Sequence, residues 1–140
     1  MSFHIYVTLP HQPIPMPEDA DRETLNKWVD EEFKYCIYDE PLGADERVYE
    51  FWSSIARSLG LQIITKIYNH GLHTQDKNEL QALEQELNQL SQYWKTHNLK
   101  ESGPFALSHD ELMYHLWERM EYFHKAIQIA KENNADLDIQ

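Results

Sequence analysis

The residues Phe3-His4-Ile5-Tyr6-Val7-Thr8-Leu9 decide the fold class, because they form the clearest period-two stretch in a chain otherwise patterned for helix. Phe3, Ile5, Val7 and Leu9 alternate with His4, Tyr6 and Thr8, the signature of a half-buried strand rich in β-branched and aromatic types. Pro10, Pro13, Pro15 and Pro17 follow. They end the strand and make residues 10–17 an extended connector, since each fixes φ and disfavours helix at the preceding residue. The PxxP spacing also fits a polyproline ligand, but a stiff linker accounts for it.

Working outward, four amphipathic stretches read as helices. The first spans about Asp21 to Tyr38, with Leu25, Trp28, Val29, Phe33, Cys36 and Ile37 on one side. Glu23 with Lys27 and Asp30 with Lys34 are i,i+4 pairs on the other, and the turn Asp39-Glu40-Pro41-Leu42-Gly43 ends it. The second, about Asp45 to Leu59, carries Val48, Phe51, Trp52, Ile55 and Leu59. Gly60 suits a left-handed C′ position with Leu61 folding back. Leu61 to Tyr68, short and β-branched, reads as a second strand. The third helix starts near Asp76 and places Leu80, Leu83, Leu87, Leu90 and Trp94 at alternating spacings of three and four. That seam is barely two heptads long, so packing within the domain outweighs a free zipper.

The last helix follows Gly103-Pro104. Ser108 and Glu111 fit a capping box, and Leu107 with Leu112 fit a hydrophobic staple. Its stripe is Leu112, Leu116, Met120, Phe123, Ile127 and Ala130. Leu137 and Ile139 alternate in the tail, 135–140, and suggest a final short strand. The expected fold is therefore a mainly helical α+β single domain over residues 1–140. About four helices pack on a two- or three-stranded sheet, in the order β-α-α-β-α-α-(β).

Charge narrows the function classes. The chain carries 24 Asp and Glu against 12 Lys and Arg, a net charge of −12. Twelve of the acids lie between Glu18 and Glu50 beside Arg22, Lys27, Lys34 and Arg47, so that region alone holds −8. Such a field repels nucleic acid and anionic lipid and attracts basic surfaces. Four tryptophans and eight tyrosines without a basic track do not make a nucleic-acid platform. One cysteine, Cys36, rules out an intrachain disulfide and fits a reducing compartment. The N-terminus lacks the basic-then-apolar order of a signal peptide, and no apolar run approaches a membrane span. A cytoplasmic protein is expected.

Chemistry-bearing residues are few. Glu111, His115 and Glu118 lie within one helical arc and are the nearest approach to a metal set, but Glu111 is claimed by the capping box. His70 and His73, with Asp76 downstream, lack further ligands. Cys36 sits in an apolar stripe with acidic flanks that raise rather than lower a thiol pKa. Glu32 falls on the apolar side of the first helix, where a carboxylate must be paired or protonated. With four glycines in all, no phosphate-cradling loop is present, and no metal or cofactor is expected.

The expected function is that of a small acidic binding protein, similar in charge and size to inhibitor, antitoxin or immunity proteins, that engages a basic partner. Glu31, Glu32, Asp39, Glu40 and Glu50, with Tyr35 and Tyr38 as anchors, are the expected surface. The competing expectation is an acid/base or metal-dependent enzyme at Glu32 or at Glu111, His115 and Glu118. A homodimer through the Leu80–Trp94 helix or a sheet edge is the third.

Overall fold

A computed structural model describes all 140 residues. Four strands, β1 (Ser2–Thr8), β2 (Cys36–Ala44), β3 (Leu72–Thr74) and β4 (Asp136–Ile139), form one sheet in the order β2-β1-β4-β3, antiparallel throughout. The helices are α1 (Arg22–Phe33), α2 (Asp45–Arg47), α3 (Ser54–Ser58), α4 (Ile67–His70), α5 (Lys77–Thr96) and α6 (His109–Asn133). A π-helical segment, Val48–Ser53, joins α2 to α3, and a 3-10 turn, Ile64–Lys66, precedes α4. No helix is long and apolar enough to cross a membrane.

The expected strand at residues 3–9 is present, and its alternation assigns the two faces of the sheet. Ile5 and Val7, with Leu137 and Ile139 beside them on β4, are buried under α6. His4, Tyr6 and Thr8 point the other way. Across that second face the register sets Asp39, Tyr6, Asp138 and His73 in one row over all four strands, with Cys36, Thr8 and Asp136 in the next.

The helices pack as one core behind the sheet. Leu80, Leu83, Leu87, Leu90 and Trp94 are all nearly or fully buried, so the α5 seam is spent inside the domain and offers no zipper to a second copy. Trp94 meets Trp52 edge-on at 4.9 Å and Trp117 at 5.5 Å, and Trp52 stacks on Phe123 at 5.8 Å. The Trp94 indole N–H donates to Phe51 O at 3.1 Å, the partner a buried indole needs.

Local signals behave as their chemistry demands at several ends. Ser108 and Glu111 make a reciprocal capping box at the start of α6. Asp76 caps α5 by accepting from the Asn78 and Glu79 amides. Gly60, at φ +75°, closes α3 with the paired bonds Leu61 N to Ala56 O and Gly60 N to Arg57 O, as foreseen.

Two expected elements are corrected. The first helix stops at Phe33 rather than Tyr38, and the expected turn at 39–43 lies inside β2. Cys36 and Tyr38 satisfy a period of two as well as one of 3.6, and ladder bonds to β1 settle the choice. The expected strand at 61–68 is instead the 3-10 turn and α4. The cause is Glu86, a buried side chain of α5. Its carboxylate accepts the backbone N–H groups of Gln62 (3.1 Å), Ile63 (3.0 Å) and Ile64 (2.9 Å). These are the orphan donors of a helix start, and a carboxylate there favours the helical turn over extended chain.

The sheet edge is also a poor route to a dimer. β2 is the long edge strand, but Pro41 removes a donor and two register shifts break its ladder with β1. Both are devices that discourage edge pairing.

Candidate functional site

Glu32 organises a stretch, Leu9 to Tyr35, in which no residue is buried. Its Oε2 lies 3.1 Å from His11 Nε2, and its Oε1 accepts the Ile14 N–H at 2.9 Å. Ile14 O in turn accepts the Trp28 indole N–H at 2.8 Å, and Leu9 N–H donates to Tyr35 O at 2.8 Å. His11 stacks flat on Tyr35, 3.9 Å between centroids. The proline connector is thereby strapped to α1. The carboxylate on the apolar side of the helix is the buckle, an ion pair with a histidine.

The protonation states follow from geometry. His11 Nδ1 faces Leu9 O at 3.0 Å and must donate, since a carbonyl only accepts. Nε2 facing Glu32 then favours the doubly protonated ring. The Leu9 carbonyl first and Glu32 second accordingly push the His11 pKa up. The bond from His11, followed by that from Ile14 N–H, holds the Glu32 carboxyl below its ordinary range.

What α1 does not do is bury its stripe. No residue of the helix is buried, and Leu25, Val29 and Phe33, at successive i,i+4 positions, stand 36%, 44% and 57% exposed. Charged residues flank this ridge, mostly acids, with Arg22 one turn before Leu25. Glu23 pairs with Lys27 at 3.8 Å. Lys34 pairs with Glu31 at 2.5 Å rather than with Asp30, so Asp30 is the free charge and Glu31 the neutralised one, the reverse of expectation. Glu18, Asp19 and Asp30 are left without ion pairs.

Behind Phe33 lies a cavity of about 280 Å³ over the polar face of the sheet, lined by Tyr6, Thr8, His11, Glu32, Cys36 and Asp138 among others. Of the groups of the enzyme reading only Glu32 lines it, beside His11 and Cys36. Their states do not suit that reading. Both His11 nitrogens are engaged, Glu32 is held ionised, and burial pushes the Cys36 thiol up while its S–H donates to Tyr38 O at 3.3 Å.

The remaining expected residues are dispersed. Asp39 bonds His4 at 3.0 Å on the polar face of the sheet. Tyr38 points the opposite way, its hydroxyl donating to Tyr122 O at 2.9 Å, and burial drives its phenol up to about 12. Glu40 lies on that side too, and Glu50 is exposed on the π-helical segment beside a cavity shared with Arg47 and Glu101. Thus Glu31, Glu32 and Tyr35 come together, while Asp39, Glu40, Glu50 and Tyr38 do not join them.

The metal candidates are committed elsewhere. Glu111 serves the capping box, Glu118 pairs with Arg119, and burial followed by the Arg119 and Arg47 charges holds the His115 pKa down. His73 bonds Asp138 at 2.5 Å and Asp76 caps α5, leaving His70 apart. No three His, Cys, Asp or Glu side chains are arranged to hold a metal ion.

Sequence reasoning missed the exposure of α1 and the carboxylate clamp of Glu86. The first had a signal in the proline connector, which cannot cover a helix face as a strand or helix would. Compared with protein-family models, with curated proteins and with solved structures, the chain finds no significant match.

Proposed function

We propose that this is a non-enzymatic protein-binding module of the cytoplasm whose working surface is the ridge of α1, and that its partner is a basic segment with apolar anchors. The reading rests on one observation: a strapped, well-formed helix that buries none of its own residues, while Leu25, Val29 and Phe33 stand in line among acids. Apolar anchors inside a charged rim are the usual anatomy of a binding surface, and opposite charge speeds encounter. A second copy of this chain is a poor occupant, because it would set Glu18, Asp19 and Asp30 against their own kind. Of the seven expected residues, Glu31, Glu32 and Tyr35 belong to this surface, the last two as supports. An acid/base enzyme at Glu32 is the weaker reading, since the carboxylate already holds the connector.

The test is capture from the native host with the whole protein as bait, repeated with Val29→Asp and Phe33→Asp and at low and high salt. The proposal expects a basic protein that is lost with either variant and weakened by salt. A partner indifferent to both changes overturns it.

A further inference from the structure

A second site, independent of α1, lies between the π-helical segment and α4. A cavity of about 240 Å³ is lined by Tyr49, Ser54, Arg57, Thr65, Lys66 and Tyr68, with Asn69 and His70 at its edge. Its walls are tied together by Ser53, whose hydroxyl donates to Ile64 O at 3.1 Å and accepts the Tyr68 N–H at 3.2 Å. Four other cavities, of about 280, 300, 450 and 530 Å³, each carry at least two carboxylates. This one carries none, although Lys66 and His70 also line the 450 Å³ cavity, where Glu79 and Asp138 stand. Neither Arg57 nor Lys66 takes part in an ion pair, a state they share with Arg22, Lys77, Lys95, Lys100 and Lys125; what sets them apart is that they line one cavity together.

The local sequence points the same way. From Phe51 to Gln75 the chain has no Asp or Glu, where an even spread of its 24 acids would place about four. The overall charge of −12 does not cancel two local cations. At physiological salt the screening length is about 8 Å, so distant acids count for little inside the pocket.

We infer that this cavity binds a small-molecule phosphomonoester carried on a flat ring. Arg57 supplies a planar fork that matches phosphate oxygens, Lys66 a point charge, and Ser54 and Thr65 further hydroxyl donors. The ring is provided for by Tyr49 and Tyr68, 54% and 39% exposed, whose own rings stand 5.0 Å apart at 58°. A volume somewhat below the range of drug-sized sites, about 300–1,000 Å³, suits a phosphate with one ring and little more.

The experiment titrates the intact protein with phenyl phosphate, inorganic phosphate and phenol, followed by calorimetry and amide NMR. Phenyl phosphate is expected to bind one site, at least about tenfold tighter than inorganic phosphate, with shifts confined to residues 49–70. Phenol is expected not to bind. Arg57→Gln and Lys66→Gln, both checked for native amide spectra, should each weaken phenyl phosphate about tenfold. Phe33→Asp should change nothing here. Absence of binding, shifts spread over the surface, or affinity unmoved by both variants overturns the inference. So does a phosphotyrosine peptide that binds far more tightly than phenyl phosphate, which would make the occupant a protein.

Discussion

α1 and α5 are both amphipathic helices with leucine and tryptophan in their stripes, yet they do opposite things with them. α5 buries Leu80, Leu83, Leu87, Leu90 and Trp94 against α6 and the π-helical segment. α1 buries nothing and is held by polar bonds from a proline connector to Glu32 and Trp28. The difference lies in what arrives to cover each stripe. A neighbouring helix covers a ~100°-wide apolar face. An extended connector covers a line. An amphipathic pattern therefore establishes that a face needs a partner, not that the partner belongs to the same chain.

The most direct way to break that contrast is to truncate one residue from each stripe. Leu87→Ala removes a fully buried side chain and should lower the unfolding free energy by about 2–5 kcal/mol. Phe33→Ala, on the exposed ridge, should stay within about 0.5 kcal/mol of wild type while removing an anchor for the partner. Urea denaturation measures both. If Phe33→Ala destabilises as much as Leu87→Ala, the ridge is structural and the binding reading falls.

A smaller effect tests what fixed the turn after α3. Glu86→Ala strips three consecutive backbone donors of their acceptor, and it should lower stability by about 3 kcal/mol. Glu86→Gln keeps one acceptor oxygen with two lone pairs and should lose less. Amide exchange of Ile63 and Ile64 should quicken in the alanine variant before that of the α6 core. Equal exchange in both regions would mean that packing of Ile64, not the carboxylate, holds the turn.

The same contrast explains how much the sequence disclosed. Capping chemistry was legible where it is local: Ser108 with Glu111, Asp76, and Gly60 with Leu61 each act within a few residues. The class of fold followed from the alternation at residues 3–9. β2 was not legible, because Cys36, Ile37 and Tyr38 fit two periods over so short a stretch and only β1, more than 25 residues away, decides between them. Residues 61–68 failed for a similar reason, since their deciding partner, Glu86, lies over 20 residues downstream. Of the site, the oddity of Glu32 was visible but its use was not. No periodicity announces that His11, in a proline-rich connector, will face it. The acid-free run from Phe51 to Gln75 is a signal that the charge reading, confined to Glu18–Glu50, passed over.

The gentlest perturbation is pH, and it should act on α1 while sparing α5. His11 is raised above its ordinary value, so its contribution to the strap is whole below about 6.5 and is lost as pH climbs through the higher, folded value. Glu32 is lowered, so its contribution is whole above about 4.5 and is lost as pH falls through the depressed value. The strap is therefore tightest between those limits; Asp136 also opposes loss of the His11 charge, burial works against it, and the Tyr35 ring stacks on the imidazole. Protection of the Ile14 amide and the Trp28 indole N–H, corrected for intrinsic exchange, should fall on both sides of that window, while Leu83 stays constant. His11→Gln should flatten the alkaline limb and leave the acid limb, because the Glu32 to Ile14 bond does not need the imidazole. If the alkaline limb survives in His11→Gln, the strap is not governed by this ion pair. The exposed ridge would then owe its shape to the prolines alone.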